Sequence, residues 1–356
     1  MSPDSGAVLD GFDDDVVFTF NEVLQEQGLE NLVTISPRPD EVRVSWHRTR
    51  IAVRPREGWR DGITYHVTLL PGVTDLRTNR MEEGVEVVFS TGGPIPDTHI
   101  TGYALDWEGY RPAPGALIEA IRPSDSLTFV TRADSTSAFQ LAALPPGPFL
   151  LLATVDQNRN NRRDSREAFD SVSVSLDSAL DHVFWMFPHD TLGPRIRTLT
   201  RLDSVAVGVE FTQVLALAPP EPGDVRVLEL PDSTPVPVTH ILWPATYDSL
   251  QAARRDSLAA LVDTVSIDSL AADTLAVDTL PTPAEAGAAE PEPQDTSVVA
   301  RLLATRPPPQ RQIVIQLGAP LKPGTRYAVE TTVRNLLDAV ATSNRSLAVP
   351  APRDST

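Results

Sequence analysis

A pattern of residues near the start of this chain recurs near its end. Val17-Phe18-Thr19-Phe20-Asn21-Glu22-Val23-Leu24 is answered by Val209-Glu210-Phe211-Thr212-Gln213-Val214-Leu215, and Gly62-Ile63-Thr64-Tyr65-His66-Val67-Thr68 by Gly324-Thr325-Arg326-Tyr327-Ala328-Val329-Glu330. Asp75 with Asn79 is matched to Asp338 with Asn344. Phe20 to Tyr65 is 45 residues and Phe211 to Tyr327 is 116, so the second copy carries 71 more, and an acidic, Pro/Ala-rich tract lies just there. A repeated module commits a chain to an architecture of like domains and points away from one unique active site.

Length and punctuation fix the class. At 356 residues the chain has room for two or three domains with cores that need no disulfide, and the repeat plus a distinct middle makes three. Its 33 prolines and 19 glycines break the apolar runs into short, regular pieces, which suits strands joined by turns. The expected fold is all-β, three tandem β-sandwiches.

Charge and cysteine content remove several functions. The formal net charge is -18, and a chain with no basic face gains nothing by displacing counterions from a phosphate backbone, so nucleic acid is not an expected partner. Anionic membrane surfaces are disfavoured for the same reason. With no cysteine there are no disulfides, thiolate metal sites or thiol nucleophiles. No run of about 18 apolar residues exists to span a bilayer. Met1 to Ala7 carries neither a basic nor an apolar leader region, so the chain as it begins reads as cytoplasmic. Were an export signal or lipobox lost upstream, it reads as envelope or extracellular.

Alternation of apolar and polar residues marks strands at Val16 to Phe20, Leu32 to Ile35, Val42 to Trp46, Ile51 to Val53, Tyr65 to Leu69 and Val85 to Phe89, enough for a two-sheet sandwich over residues 3–93. Phe18-Thr19-Phe20-Asn21-Glu22, Ile35-Ser36-Pro37, Gly62-Ile63-Thr64-Tyr65, Gly72-Val73-Thr74-Asp75 and Phe89-Ser90-Thr91 together resemble the bacterial Ig-like domain of the S-layer-protein (SbsA) type. The resemblance implies a spacer or interaction module with no catalytic residues. Tyr65 and Trp46 are expected in its core.

Over residues 96–190 the pattern changes. Ile100-Thr101-Gly102-Tyr103, Pro114-Gly115-Ala116 and Leu144-Pro145-Pro146-Gly147-Pro148-Phe149 resemble the carboxypeptidase-regulatory-like, transthyretin-related β-sandwich, which brings no peptidase chemistry. Its strand Phe149 to Val155 runs into the one constellation with specific chemistry. Asp156, Asn158, Asn160, Arg162, Asp164 and Glu167 occupy positions 1, 3, 5, 7, 9 and 12 of an EF-hand-like loop. Ca²⁺ takes six to eight oxygens at flexible geometry, and three carboxylates, two amide oxygens and the Arg162 carbonyl supply them. Asn161, where such loops carry Gly, tolerates the left-handed turn. The flanks read as strands, so the loop sits in a β-hairpin and a calcium ion there is structural, stiffening the joint after this domain. The same residues also suit a polar β-turn, and Arg159, Arg162, Arg163 and Arg166 weaken any cation site.

Residues 191–350 form the second, degenerate Ig-like copy, with strands at Val205 to Phe211, Val225 to Leu230, Thr239 to Trp243, Ile313 to Leu317, Tyr327 to Val333 and Leu347 to Val349. Its closing Ser346-Leu347-Ala348-Val349 departs from Phe-x-Thr. An insertion at about 246–310 is expected to be disordered beyond helical turns near Ser249 to Leu261. Between Asp256 and Ala300 it holds nine acids and no base, and Asp263, Asp268, Asp273 and Asp278 repeat every five residues, a period that gives no single apolar stripe.

Six histidines (His47, His66, His99, His182, His189, His240) are scattered over all three modules, and no nucleophile triad or phosphate loop appears. The expectation is a noncatalytic, monomeric structural or adhesive protein of the bacterial cell envelope, meeting an envelope protein or polysaccharide. The alternative is a polysaccharide- or peptide-recognition protein that uses Ig-like loop tips.

Overall fold

The computed structural model of the chain describes residues 1–25, 27–268 and 297–351. They divide into two compact units, Met1–His189 with Val298–Arg306, and Asp190–Ser297 with Pro307–Thr356. The class is all-β in tandem sandwiches, as the short alternating runs require.

The first sandwich comprises β1 (Ala7–Val8), β2 (Val16–Thr19), β3 (Val33–Ser36), β4 (Val42–His47), β5 (Arg50–Pro55), β6 (Thr64–Leu69) and β7 (Val85–Ser90). One sheet runs β1-β7-β6-β3 and the other β2-β5-β4. Period-two patterning turns Ile51 and Val53 of β5, Tyr65 and Val67 of β6, and Val87 and Phe89 of β7 into one core with Phe18 and Ile35. Trp46 packs against that core, partly buried.

In the middle sandwich, β8 (His99–Asp106), β9 (Arg111–Pro112), β10 (Leu117–Ile121), β11 (Thr128–Arg132), β12 (Ala138–Ala142), β13 (Gly147–Thr154), β14 (Phe169–Leu176) and β15 (Ala179–Met186) follow in order. The sheets are β11-β10-β13-β14 and β12-β8-β15, with β9 on β8. The strands expected on either side of the acidic loop are β13 and β14, an antiparallel pair from Gly147↔Leu176 to Thr154↔Phe169. β15 lies parallel to β8 with His182 opposite Gly102. A Cβ at Gly102 would stand 1.7 Å from the His182 carbonyl oxygen, so no other residue fits there without moving the strand.

The third sandwich is built from β16 (Ile196–Arg201), β17 (Ala206–Phe211), β18 (Val225–Leu230), β19 (Thr234–Val236), β20 (Val238–Leu242), β21 (Gln312–Leu317), β22 (Arg326–Arg334) and β23 (Val340–Ala348). Its sheets are β16-β17-β21-β20 and β19-β18-β22-β23. The stretch 246–310, expected to be disordered, carries a helix at each end: α1 (Pro244–Asp268) and α2 (Val298–Ala304). Helix α1 starts with Pro244, whose fixed φ suits a first helical position, and Tyr247 anchors it, buried, donating its hydroxyl to Asp203 Oδ2 at 2.6 Å. The helix runs past both ends of the turns expected near Ser249 to Leu261. Of the five-residue Asp repeat, Asp263 and Asp268 lie on the α1 backbone, whereas Asp273 and Asp278 lie outside the described residues.

The repeat read from sequence is present in the backbone. Strand order β2-β5-β4 matches β17-β21-β20, and β7-β6-β3 matches β23-β22-β18. Phe20 N donates to Thr49 O and Leu24 N to Arg48 O, just as Phe211 N donates to Arg311 O and Leu215 N to Gln310 O. The insertion therefore opens the β4–β5 hairpin position, the shortest turn of the first copy. Tyr65 Oη accepts from Arg60 N at 2.9 Å and Tyr327 Oη from Lys322 N at 2.8 Å, each five residues back. One pairing is corrected. Asp75 accepts from Arg77 N and Asn79 N, and the residue that accepts from Leu337 N and Ala339 N is Asn335, with Asp338 taking the left-handed position of Thr78. The second turn begins three residues before Asp338. The irregular last strand keeps its register: Val349 N bonds to Thr325 O where Thr91 N bonds to Ile63 O.

Candidate functional site

Between β13 and β14 the Asp156–Glu167 loop folds back onto its own backbone. Asp156 has a fully buried side chain; its Oδ1 accepts from Asn160 N and its Oδ2 from Asn161 N, both at 3.1 Å. Asn158 Oδ1 accepts from Asn160 N and Asn160 Oδ1 from Arg162 N. Glu167 closes the far end, Oε1 accepting from Gln157 N and Oε2 from Asp164 N. Asp164 Oδ2 accepts from Asn158 Nδ2 at 2.7 Å and Asn160 Nδ2 at 3.3 Å. Asn161 takes the left-handed conformation, φ 60°, as its place in the loop requires. Side-chain oxygens of all five acid and amide residues are thus held by N–H donors of the same loop.

A guanidinium the sequence reading did not single out sits against this loop. Arg132, the last residue of β11, donates through Nη2 to Asp156 Oδ2 and to Asn161 Oδ1, each at 2.6 Å, and through Nη1 to Gly115 O at 2.7 Å. It supplies the positive charge that a buried carboxylate demands. The three acidic side chains do not gather: among the described residues no group of three or more His, Asp or Glu is placed to hold a metal ion.

The loop faces the preceding sandwich, whereas the sequence pointed to the joint after the middle domain. Arg38, just past β3, donates through Nη1 to Asn161 O at 2.5 Å and pairs with Glu119 Oε1 at 2.7 Å, the Glu119 side chain being 4% exposed. Arg38 N donates to Thr128 O, and Val130 N to Ser36 Oγ. The chain leaving β3 thereby covers the open edge of β11, which would otherwise present unpaired backbone groups. Two arginines and two buried carboxylates, Asp156 and Glu119, make one charge-paired joint between the sandwiches.

Beside it, an aromatic row crosses the β14–β15 side of the middle sandwich. Trp107 meets Trp185 and Phe187 edge-on at 6.5 and 5.7 Å, His189 lies between Phe187 and Phe169, and Arg163 of the loop stacks on Phe169 at 4.3 Å. Burial lowers the pKa of His182 and His189, so both favour the neutral state. They serve packing here: His182 lies 4.6 Å from the Phe184 ring. In the first sandwich a hydrogen bond from His66 lowers the pKa of Glu86.

Residues 1–91 match the family model described as a bacterial Ig-like domain, so an Ig-like domain occupies the first sandwich. No curated protein matches the chain. Among solved structures it is similar to BcpA, the major pilin subunit of Bacillus cereus, at 11% identity and a TM-score of 0.21, over 50% of this chain and 60% of that one. A DUF3823 family protein from Bacteroides uniformis matches at 9% identity and TM-score 0.20, over 72% of this chain and 100% of its own. The surface layer protein SbsC, domains 1-6, matches at 9% and 0.19, over 97% and 53%. The chain spans about 60% of the pilin's length, and at these TM-scores no reading of function rests on the likenesses. No helix among the described residues is long and apolar enough to cross a membrane.

Proposed function

We propose that this chain is a noncatalytic structural or adhesive component of the bacterial cell envelope, a monomer whose sandwiches act as rigid spacers and meet an envelope protein or polysaccharide. The observation that carries the reading is the joint between the first two sandwiches. Arg38 spans it to a nearly buried carboxylate and to the acidic loop, an arrangement that holds two domains in one orientation and offers no reacting group. The Ig-like match at residues 1–91 supports it. In this reading both end sandwiches are SbsA-type copies and the middle one is carboxypeptidase-regulatory-like. Scanning calorimetry of the full chain tests the joint. The first two sandwiches should unfold in one cooperative transition that Arg38→Ala separates into two, since it leaves Glu119 buried without its partner. Two independent transitions in the unaltered protein would refute the rigid spacer.

The acidic loop adds a structural calcium site to the same reading. Asp156, Asn158, Asn160, the Arg162 carbonyl, Asp164 and Glu167 would supply its ligands, and the arginines in and beside the loop keep the affinity on the order of 10⁻⁴ to 10⁻³ M, the range of extracellular modules. Millimolar Ca²⁺ should raise the melting temperature of the full chain, and Asp156→Ala with Glu167→Ala should abolish the rise. An unchanged melt at 10 mM would mean that Arg132 compensates the buried Asp156 without a metal ion.

One observation favours the recognition alternative. A cleft of about 630 Å³ lies between the first two sandwiches, lined by Thr34, His66, Glu86, Arg132 and Gln140 among others, and clefts between domains are common ligand sites. On this alternative a small polar ligand would sit at the joint, away from the loop tips. Heat released on titrating envelope oligosaccharides, lost in Gln140→Ala, would support it.

A further inference from the structure

One end of the outer face of the β8–β15 pair, around Trp107 and Trp185, lies against a segment that sequence order assigns to the insertion of the third sandwich. On β8 and β15 the inward positions are Ile100, Ala104, Phe184 and Met186, all members of the sandwich core. Period two places Leu105, Trp107, Trp185 and Phe187 on the opposite face. Leu105 and Trp107 are nevertheless 0% and 1% exposed, and neither belongs to that core.

What lies on this face is Val298–Arg306, which packs as part of the same compact unit. Its less exposed positions include Val299 and Leu303, about one turn apart on α2, and Arg306, two residues past the end of that helix. Leu303 is buried, and its carbonyl accepts from Tyr110 Oη at 2.8 Å. The Arg306 guanidinium carbon stands 3.4 Å from the centroid of the Trp107 ring and 5.5 Å from that of Trp185. Cation and aromatic faces attract in this geometry, more strongly when half-buried. Asp170, which accepts from Trp185 N at 2.8 Å, adds a negative charge on the same side. The surface thus reads three features of its occupant: an apolar helical face, the Leu303 carbonyl, which also takes Arg306 N at 3.2 Å, and the guanidinium that follows the helix.

We propose that this face is a receptor for a short arginine-tipped helix, and that Val298–Arg306 is a detachable latch which the same segment of a second copy of this chain can replace. Leu303, the stacked Arg306 and the Tyr110 hydrogen bond help to hold the latch, whose nine residues fall well short of the roughly 20 to 30 a side of a stable protein interface. Such a contact persists in cis because the tether keeps the local concentration high. It yields to a competitor once the tethered segment is impaired.

The test uses the full chain and a fluorescein-labelled peptide of residues 297–307. Leu303→Asp should release the latch, seen as a red shift and greater iodide quenching of tryptophan emission. The peptide should then bind this variant saturably, at least ten-fold tighter than it binds the unaltered chain. Adding Trp107→Ala to Leu303→Asp should weaken the peptide at least ten-fold. Arg306→Ala serves as the gentler variant should Leu303→Asp disturb folding, with the same ordering expected. Equal binding to the unaltered chain and the variants, binding insensitive to Trp107→Ala, or no binding to either variant would each overturn the proposal.

Discussion

The first and third sandwiches follow one plan with different fillings, and the difference separates what the plan needs from what each copy does with it. Both keep the strand order, the tyrosine that accepts a backbone N–H five residues back, and the N–H bonds that tie the β2 and β17 exits to the neighbouring hairpin. They differ where the plan leaves backbone groups or edges to be dealt with. The first copy closes the β4–β5 connection with a tight turn at Arg48 and Thr49, and sends the chain after β3 along the middle sandwich. The third opens the equivalent hairpin to admit residues 243–311, including α1 and the latch. A two-residue turn lies at the surface, where inserted length costs only slowly growing loop entropy, so that position could expand while the core could not.

Core truncation at matched positions should give the largest contrast. Phe211 is fully buried in the third core, whereas its counterpart Phe20 only packs against the first. Phe211→Ala should cost about 4 kcal/mol. Phe20→Ala should cost about 2 kcal/mol, in proportion to the smaller apolar area it withdraws from water. Urea melts of each variant measure both, and equal losses would mean that Phe20 is as fully packed in solution as Phe211.

The paired turns make the next comparison, because one accepts with a carboxylate and the other with an amide. Asp75 receives N–H groups of Arg77 and Asn79 and the Asn79 side chain at 2.7 to 2.8 Å. The Asn79 hydrogen bond above all holds its pKa down at about 2. A carboxyl with a depressed folded pKa adds stability that is complete above its unfolded value near 4 and is lost as pH falls through the folded value. The first sandwich should therefore weaken between about pH 4 and pH 2, and Asp75→Asn should flatten that slope. Asn335 has no proton to gain. Its Nδ2 donates to Asp190 O, Leu192 O and Gln213 Oε1. Asn335→Asp would turn a buried donor into a charge facing three oxygens, a loss of about 3 kcal/mol at neutral pH that should shrink on acidification. A loss that is the same at pH 7 and pH 4 would show that no carboxylate forms there.

The sequence disclosed the repeat because its markers are local. Gly62 and Gly324 take φ of 73° and 76° ahead of Tyr65 and Tyr327, and a turn that needs a positive φ followed by a buried aromatic leaves a spelling that survives in one dimension. The acidic loop was legible for a similar reason: its hydrogen bonds run between residues two to ten apart. What stayed hidden was nonlocal. Nothing near Arg132 or Arg38 in sequence announces the carboxylates they meet, 24 and 81 residues away by number. The pairing of Asp75 with Asp338 failed because an asparagine can take the aspartate's two backbone bonds, so identity of charge was the wrong marker. The first helix of the insertion was legible only as turns near Ser249 to Leu261 and the second not at all, because both are held by tertiary contacts: Tyr247 on Asp203 for one, Leu303 and Arg306 on the middle sandwich for the other.

The smallest expected effect is the most demanding test of the shared plan. Tyr65 and Tyr327 are 4% and 1% exposed, and each hydroxyl accepts one backbone N–H from the turn five residues before it. Removing only the hydroxyl, in Tyr65→Phe and Tyr327→Phe, leaves the ring packing in place and strands one N–H, a cost of about 1 kcal/mol in each copy. The two losses should agree within error, and the double variant should show their sum, because the residues share no neighbour. Burial raises the Tyr65 pKa, so its part of the stability should hold below about pH 10 and fade above it as the unfolded chain ionises first. A cost confined to one copy would mean that the tyrosine was kept there for its ring alone, and that the hydrogen-bonded corner is a property of one sandwich instead of the repeat.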